Sequence, residues 1–459
     1  RRGVGGDGDA GQPDGEQEGE AEDGETAGGR GGHRVSPSRV VVAHLLARRE
    51  SGILLAPSAG PGSAALARAE QATSAGAPNF TESIVSETKP RLNVVSIIFL
   101  LGTLLVALVG TPWYILTHGL GLPETLTFVT IWLAVGLSIT GGYHRLFSHK
   151  TYQAAWPVRL FYLIFGAGAL ENSVLAWCAD HRIHHAHVDE ERDPYNITKG
   201  FWWAHMLWIF VEGDRPPAGT VVRDLEEDPL VAWQARWYIP LGLFVSFGIP
   251  LIVGLATGNV LGCLLIGGVL RVVVSHHSTF FINSLCHMIG KQTYSREHSA
   301  RDSAVMAVLA FGEGYHNYHH SFPFDYRNGV KAWHFDPAKW IIYVLSKVGL
   351  ATDLRRAPEA AVLKAKVELQ FAAARERMQK AVAHLREVHE PRLQEAYERL
   401  QTALHELTTL QRRPAKKAED NHVPFEARLG QCYHAVEKAL DEWKQTLRQM
   451  NRLPLAATA

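Results

Sequence analysis

Apolar residues crowd the middle of this chain and polar ones its two ends. Residues 92–117 carry no charge, and a helix crosses a hydrocarbon layer with about 20 such residues. Residues 125–143 form a second uncharged run and 237–270 a third. The third is too long for one crossing and contains a turn signal, Thr257-Gly258-Asn259, so it divides there. The pattern predicts spans at about 93–116, 124–143, 237–256 and 260–280. Arg271 falls in the last of them. A charge at that depth is costly against lipid and is expected to face the protein interior. Residues 160–178 are also apolar but include Glu171. A fifth span there would put the polar stretches before and after it on opposite sides of the membrane, so an interfacial or re-entrant helix is expected.

Four spans make two hairpins. The turns near 118–124 and 257–259 hold no Lys or Arg, whereas the loop 144–236 holds nine. The positive-inside rule places that loop and both termini in the cytoplasm. The fold class expected is an all-α integral membrane protein: four transmembrane helices in two hairpins, under a cytosolic helical cap. Residues 1–88 are rich in Gly, Ala, Glu and Arg without a sustained period. Such a segment buries too little apolar area to offset its chain entropy and is expected to be disordered. Residues 89–350 are expected to form the membrane domain and 351–459 a helical or coiled-coil extension, with one long helix over 357–412 broken near Pro391 and a second at about 424–450.

Composition adds exclusions. Lys plus Arg equals Asp plus Glu at 46 each, so no overall field points to nucleic acid. The four cysteines are scattered, without C-x-x-C pairing, which argues against a disulfide framework or a thiolate zinc site.

The chemistry is in the histidines. HRLFSH carries His144 and His149; HRIHH carries His181, His184 and His185; HNYHH carries His316, His319 and His320. The second and third clusters share the spacing i, i+3, i+4, which puts their rings on one face of a helix. FINSLCH adds Asn283 and His287, again one helical turn apart. The span pattern brings all four stretches to one side of the membrane. Imidazole suits iron, zinc, copper and nickel. Nine rings are too many for one ion and suit two, so the cap is expected to hold a di-metal histidine site. Asp180, Asp189, Glu190, Asp193 and Glu313 are candidate acceptors for the outer ring N–H groups.

With their flanks, these stretches read GGYHRLFSHKTY at 141–152, HRIHHAHVDEERDPYN at 181–196, KGFWWAHMLWI at 199–209, FINSLCH at 281–287 and GEGYHNYHHSFPFDYRNG at 312–329. They resemble the acyl-CoA desaturase family of the stearoyl-CoA and bacterial delta-9 type, over about residues 90–345. The resemblance implies an oxygen-dependent desaturase that puts a cis double bond, at the delta-9 position, into a saturated acyl-CoA. It implies two iron ions (Fe2+/Fe3+) with O2 as co-substrate, since no side chain abstracts hydrogen from a methylene. Its ligands fall on His144, His149, His181, His184, His185, His287, His316, His319 and His320, with Asn283 reaching a metal through water. His187, His205, His276, His277, His298 and His334 match no ligand position. Arg145, Lys150, Arg182 and Arg192 are expected at the acyl-CoA phosphates, and Trp202, Trp203, Trp208 and the 233–247 region along an acyl tunnel.

The extension shows no haem-ligating or iron–sulfur signature. Electrons are therefore expected from a separate donor, of ferredoxin, rubredoxin or cytochrome b5 type with its reductase. A bacterial inner membrane is the expected location. The competing readings are a related histidine-box hydroxylase, an acyl-lipid desaturase, and a non-catalytic metal- or lipid-binding membrane protein.

Overall fold

A computed structural model describes residues 91–212, 221–412 and 425–454; the segment 1–88, expected to be disordered, lies outside them. The described chain enters through α1 (Val94–His118), turns over 119–121 and returns through α2 (Leu122–Ser148). Two shorter helices follow, α3 (Trp156–Ala167) and α4 (Val174–Ala186). A second long pair, α5 (Pro229–Thr257) and α6 (Val260–Met288), completes four helices long and apolar enough to cross a membrane. α3 is apolar but only 12 residues long, too short to span.

Local chemistry sets the helix starts. The Asn93 side chain accepts the Ser96 N–H at 3.0 Å, and Asn259 caps α6 through the Gly262 N–H. α5 starts at Pro229, ahead of the expected 237, because Asp228 accepts the Leu230 N–H and proline suits the first helical position. α2 runs to 148 rather than 143. Its last part, Ser138–Ser148, is π-helical and wholly buried, so polar side chains continue the helix where hydropathy alone would stop it.

α1 turns most of its apolar surface outward, whereas α6 is the most buried of the four. Arg271 on α6 is fully buried and donates to the Gly168 carbonyl at 2.7 Å. At the ends remote from the histidines the hairpins are joined by a polar cluster. The Asn259 amide donates to Glu124 at 2.9 Å and to Tyr114 Oη at 2.9 Å, and the Gly121 N–H donates to Glu124 at 2.6 Å.

At the other ends, α3 and α4 pack on Ser138–Ser148 in one core with Tyr143, Leu146, Phe147, Leu163 and Cys178. Gly166 makes this possible: a Cβ there would lie 2.3 Å from the Tyr143 ring. Two short antiparallel ribbons close the cap. β1 (Arg91–Leu92) pairs with β3 (Val211–Glu212), and β2 (Gln153–Ala154) with β4 (Ala351–Thr352). Between α6 and β4 lie α7 (His316–Ser321) and α8 (Pro337–Lys347).

Beyond β4 are α9 (Glu359–Gln379), α10 (Ala383–Arg412) and α11 (Phe425–Arg452). The helix break falls at 380–382, not near Pro391. Lys380 and Ala381 end α9 with N–H bonds to the carbonyls of Arg377 and Met378, and Pro391 stays inside α10. The three helices pack on one another around Val367, Leu400, Leu404, Val436, Leu440 and Trp443. Ala361, Val362 and Ala365 of α9 lie against Tyr294, Tyr318 and Phe322, which ties the extension to the helix of the third histidine cluster.

Candidate metal centre

Nine histidines converge in two groups. His144, His149, His181, His185 and His319 form one; His184, His287, His316 and His320 form the other. The elements explain the sorting. On α4 the i, i+3, i+4 spacing sends His181 and His185 to the first group and His184 to the second. On α7 His319 goes to the first, and His316 and His320 to the second. His144 and His149 are five residues apart, a poor match for an α-helix. The π-helical end of α2 repairs this: the His149 N–H bonds the His144 carbonyl at 3.1 Å, a wider turn of the kind found at functional sites. Their ring centroids are 4.9 Å apart.

The rings meet through Nε2. In the first group the Nε2–Nε2 distances are 2.8 Å for His149–His181, 2.9 Å for His319–His185 and 3.0 Å for His144–His319. In the second they are 3.1 Å for His316–His287, 3.1 Å for His320–His316 and 3.3 Å for His184–His320. Ligand nitrogens at right angles around an ion, each about 2.0–2.1 Å from it, stand about 3 Å from one another. The spacing is that of a coordination polyhedron.

Three outer nitrogens lie close to oxygen. His184 Nδ1 lies 2.9 Å from Asp193 and His144 Nδ1 3.0 Å from Glu313. His287 Nδ1 is 2.7 Å from Ser299 Oγ, and that hydroxyl and the Ser299 N–H both donate to Asp189 at 2.6 Å. A ring whose Nδ1–H faces an acceptor leaves a lone pair on Nε2. Burial holds His149, His181, His185, His316, His319 and His320 well below the ordinary histidine range, so these rings are neutral, the form that binds metal. Several neutral lone pairs aimed at one point repel unless a cation lies among them. The residues therefore fit a pair of metal ions; the donor set alone admits iron, zinc, copper or nickel.

A cavity of about 340 Å³ opens beside the two groups. His144, His181, His184 and His316 form one side, with Asn283 and Asp180, while Phe99, Leu100, Ile139, Ile209 and Phe280 supply apolar wall. Asn283 thus lines the cavity.

Other expected residues lie elsewhere. Arg145 is fully buried and has no surface to offer a phosphate: Nη1 donates to Asp336 and the Tyr326 carbonyl, and Nη2 to Glu313. Lys150 and Arg182 are both paired with Asp224. Arg192 is exposed. Trp202 is 63% exposed and Lys199 stands over the Trp203 ring; neither lines the cavity, nor does the 233–247 region, but Trp208 does. His187, His205, His276, His277, His298 and His334 join neither group. Most of the wall was not anticipated, Thr140, Trp177 and Glu171 among it. Trp177 was within reach of sequence reasoning, since it precedes His181 by one helical turn, and their rings stack at 5.1 Å.

Comparison with known proteins bears on these groups. Residues 123–347 match the fatty acid desaturase family model. The chain is similar to acyl-CoA desaturase 1 of Saccharomyces cerevisiae, 42% identical over 272 residues, which cover 58% of this chain and 53% of the relative. A probable acyl-CoA desaturase of Schizosaccharomyces pombe is 44% identical over 248 residues, covering 53% and 52%. Human stearoyl-CoA desaturase 5 is 33% identical over 247 residues, covering 51% of this chain and 75% of the relative. The chain spans about half the length of the two yeast relatives. The match at 123–347 takes in every histidine of both groups, and with 33% identity to human stearoyl-CoA desaturase 5 over 75% of that protein the chain belongs to the acyl-CoA desaturase family of fatty acid desaturases.

Proposed function

We propose that the protein is an oxygen-dependent fatty acyl-CoA desaturase that introduces a cis double bond, at the delta-9 position, into a saturated chain. The observation that carries this is the convergence of nine imidazoles, by Nε2, into two groups beside a cavity of about 340 Å³ with a partly apolar wall. The overall change is acyl-CoA plus O2, two electrons and two protons giving the unsaturated acyl-CoA and two waters. Two iron ions, when bound, would supply the oxidising power that removes hydrogen from an unactivated methylene.

The chain's own residues do the rest. His144, His149, His181, His185 and His319 would hold one ion; His184, His287, His316 and His320 would hold the other, with Asn283 reaching it through water. Glu313, Asp193 and the Ser299–Asp189 pair fix ring orientation from behind. Phe99, Leu100, Ile139 and Phe280 give an alkyl chain an apolar bed beside the rings, and their packing excludes water from the reacting carbons. Electrons come from a separate donor of the ferredoxin, rubredoxin or cytochrome b5 type. The histidine side faces the cytoplasm, on the Lys/Arg content of the loop after α2. The yeast and mammalian relatives lend nothing to a bacterial inner membrane.

The test is expression in a host that lacks this activity, with its fatty acids analysed by gas chromatography–mass spectrometry. A cis-monoene formed from the acyl-CoA pool is expected. Hydroxylated acids, or unsaturation confined to intact glycerolipids, would replace the reading with one of its competitors. His185→Ala and His319→Ala should each abolish the product while the protein still inserts into membranes, because the spans do not depend on metal.

A further inference from the structure

α8 has two faces with different surroundings. The inner face is packed: Ala338, Lys339 and Ile342 are buried, and Ile342 shares the core of Leu146 and Phe147 at the end of α2. The outer face carries Trp340, Ile341, Tyr343, Val344 and Val348. Val344 is 59% and Val348 64% exposed. An apolar face of this kind calls for a cover.

Its place in the fold says what the cover is. α8 packs on Ser138–Ser148, the last part of the second span. Counted from residue 122, the roughly 20 residues that cross hydrocarbon end near residue 141. Ser138–Ser148, and α8 beside it, therefore stand where acyl chains give way to headgroups. The chemistry of the face matches that level. Lys347 Nζ lies 5.0 Å over the Tyr343 ring and Lys331 Nζ 5.2 Å over the Trp333 ring. Aromatic rings with lysines that bury their stems and present their charge are the composition of a membrane boundary. The β2–β4 ribbon, directly after α8, leads to Trp156, which is 65% exposed.

We propose that α8 is an in-plane membrane anchor. Its Trp340–Val348 face lies in the surface of the bilayer that the four spans cross, and Lys331 and Lys347 reach lipid phosphates. The anchor is tied directly to the metal centre. Its capping residue, Asp336, accepts the Lys339 N–H and the Arg145 guanidinium; Arg145 also holds Glu313, which stands behind His144. The seating of α8 in lipid thereby helps set the position of one histidine of the first group.

The test places a nitroxide on this face in the full-length protein, reconstituted in nanodiscs of phosphatidylcholine and phosphatidylglycerol. Cys178, Cys263 and Cys286 are buried, so Cys432→Ser removes the accessible thiol. Val344→Cys and Ile341→Cys then report on α8, with Glu387→Cys on the exposed surface of α10 as the aqueous control. Collision with oxygen, which concentrates in acyl chains, is compared with collision with a water-soluble nickel chelate. Both α8 labels should show an oxygen-to-nickel ratio at least threefold above the control. A ratio equal to the control places the face in water and overturns the proposal. Protection from both reagents means that protein, such as a second copy of the chain, covers the face, and also overturns it.

Discussion

His144 shows how far one ring depends on residues distant in sequence. Its Nε2 meets His319 at 3.0 Å, while Nδ1 faces Glu313. Glu313 in turn holds Arg145 and accepts the Asn328 amide at 2.6 Å. Glu313→Gln keeps the shape and removes the charge behind the ring. Loss of such a partner typically costs 10–100-fold in metal affinity or activity, so metal per protein, measured by plasma mass spectrometry after dialysis, should fall together with turnover; full metal retention would refute the role. Glu171 offers a second test at this scale. Burial pushes its carboxyl up to about 7, against about 4.3 in an unfolded chain. A carboxyl raised this far stays mostly neutral in the fold until pH approaches 7. Its contribution is whole below about pH 4 and is lost as pH rises through 7. The thermal midpoint of the wild type should decline between pH 6 and pH 8 by more than that of Glu171→Gln; parallel curves would show that Glu171 carries no such charge cost. The grouping of His181, His184 and His185, and of His316, His319 and His320, was legible because helical spacing is a local property, whereas the five-residue step from His144 to His149 was not. Glu313 was legible only as one of several nearby acids. The burial of Arg145 and the part played by Ser299 were not, because both depend on contacts made by residues far apart in the chain.

Among the elements, α2 departs most from expectation. Its apolar run ends at 143, yet the helix continues to 148 by widening, and the widening brings His149 to His144. Hydropathy cannot foresee this, since the added residues are stabilised by α3 and α4 rather than by lipid. The start of α5 was readable in Asp228-Pro229, a capping residue before a proline. Pro391 misled, because packing against α9 and α11 sustains a helix through a residue that normally interrupts one. The Tyr114–Glu124–Asn259 cluster joins the two hairpins at the ends away from the two histidine groups. Glu124→Ala would leave the Gly121 N–H and one of the two Asn259 amide hydrogens without an acceptor, at a cost of about 1–3 kcal/mol. Calorimetry in detergent should record a lower midpoint. An unchanged one would show that the hairpins associate through apolar packing alone.

For the molecule as a whole, the four spans carry the topology, and bound metals would tie their ends together. Both histidine groups draw rings from α2 or α6, from α4 and from α7, so bound ions cross-link segments that are otherwise held by packing. A ligand present at about 100 times its Kd stabilises the native state by about 2.7 kcal/mol. Chelation should therefore lower the midpoint by several degrees, and ferrous iron should restore it; an unaltered midpoint would mean that the groups stand without metal. The span order was plain from the uncharged runs, whereas the three-helix packing of the extension was not, because its apolar positions admit more than one partner. One asymmetry has a practical outcome. On the side away from the histidines the described chain shows only the turns at 119–121 and 258–259. Proteases, glycosyltransferases and antibodies confined to that compartment would find almost nothing to grip, and whatever regulates the described part of the molecule from outside the bilayer must approach from the other side.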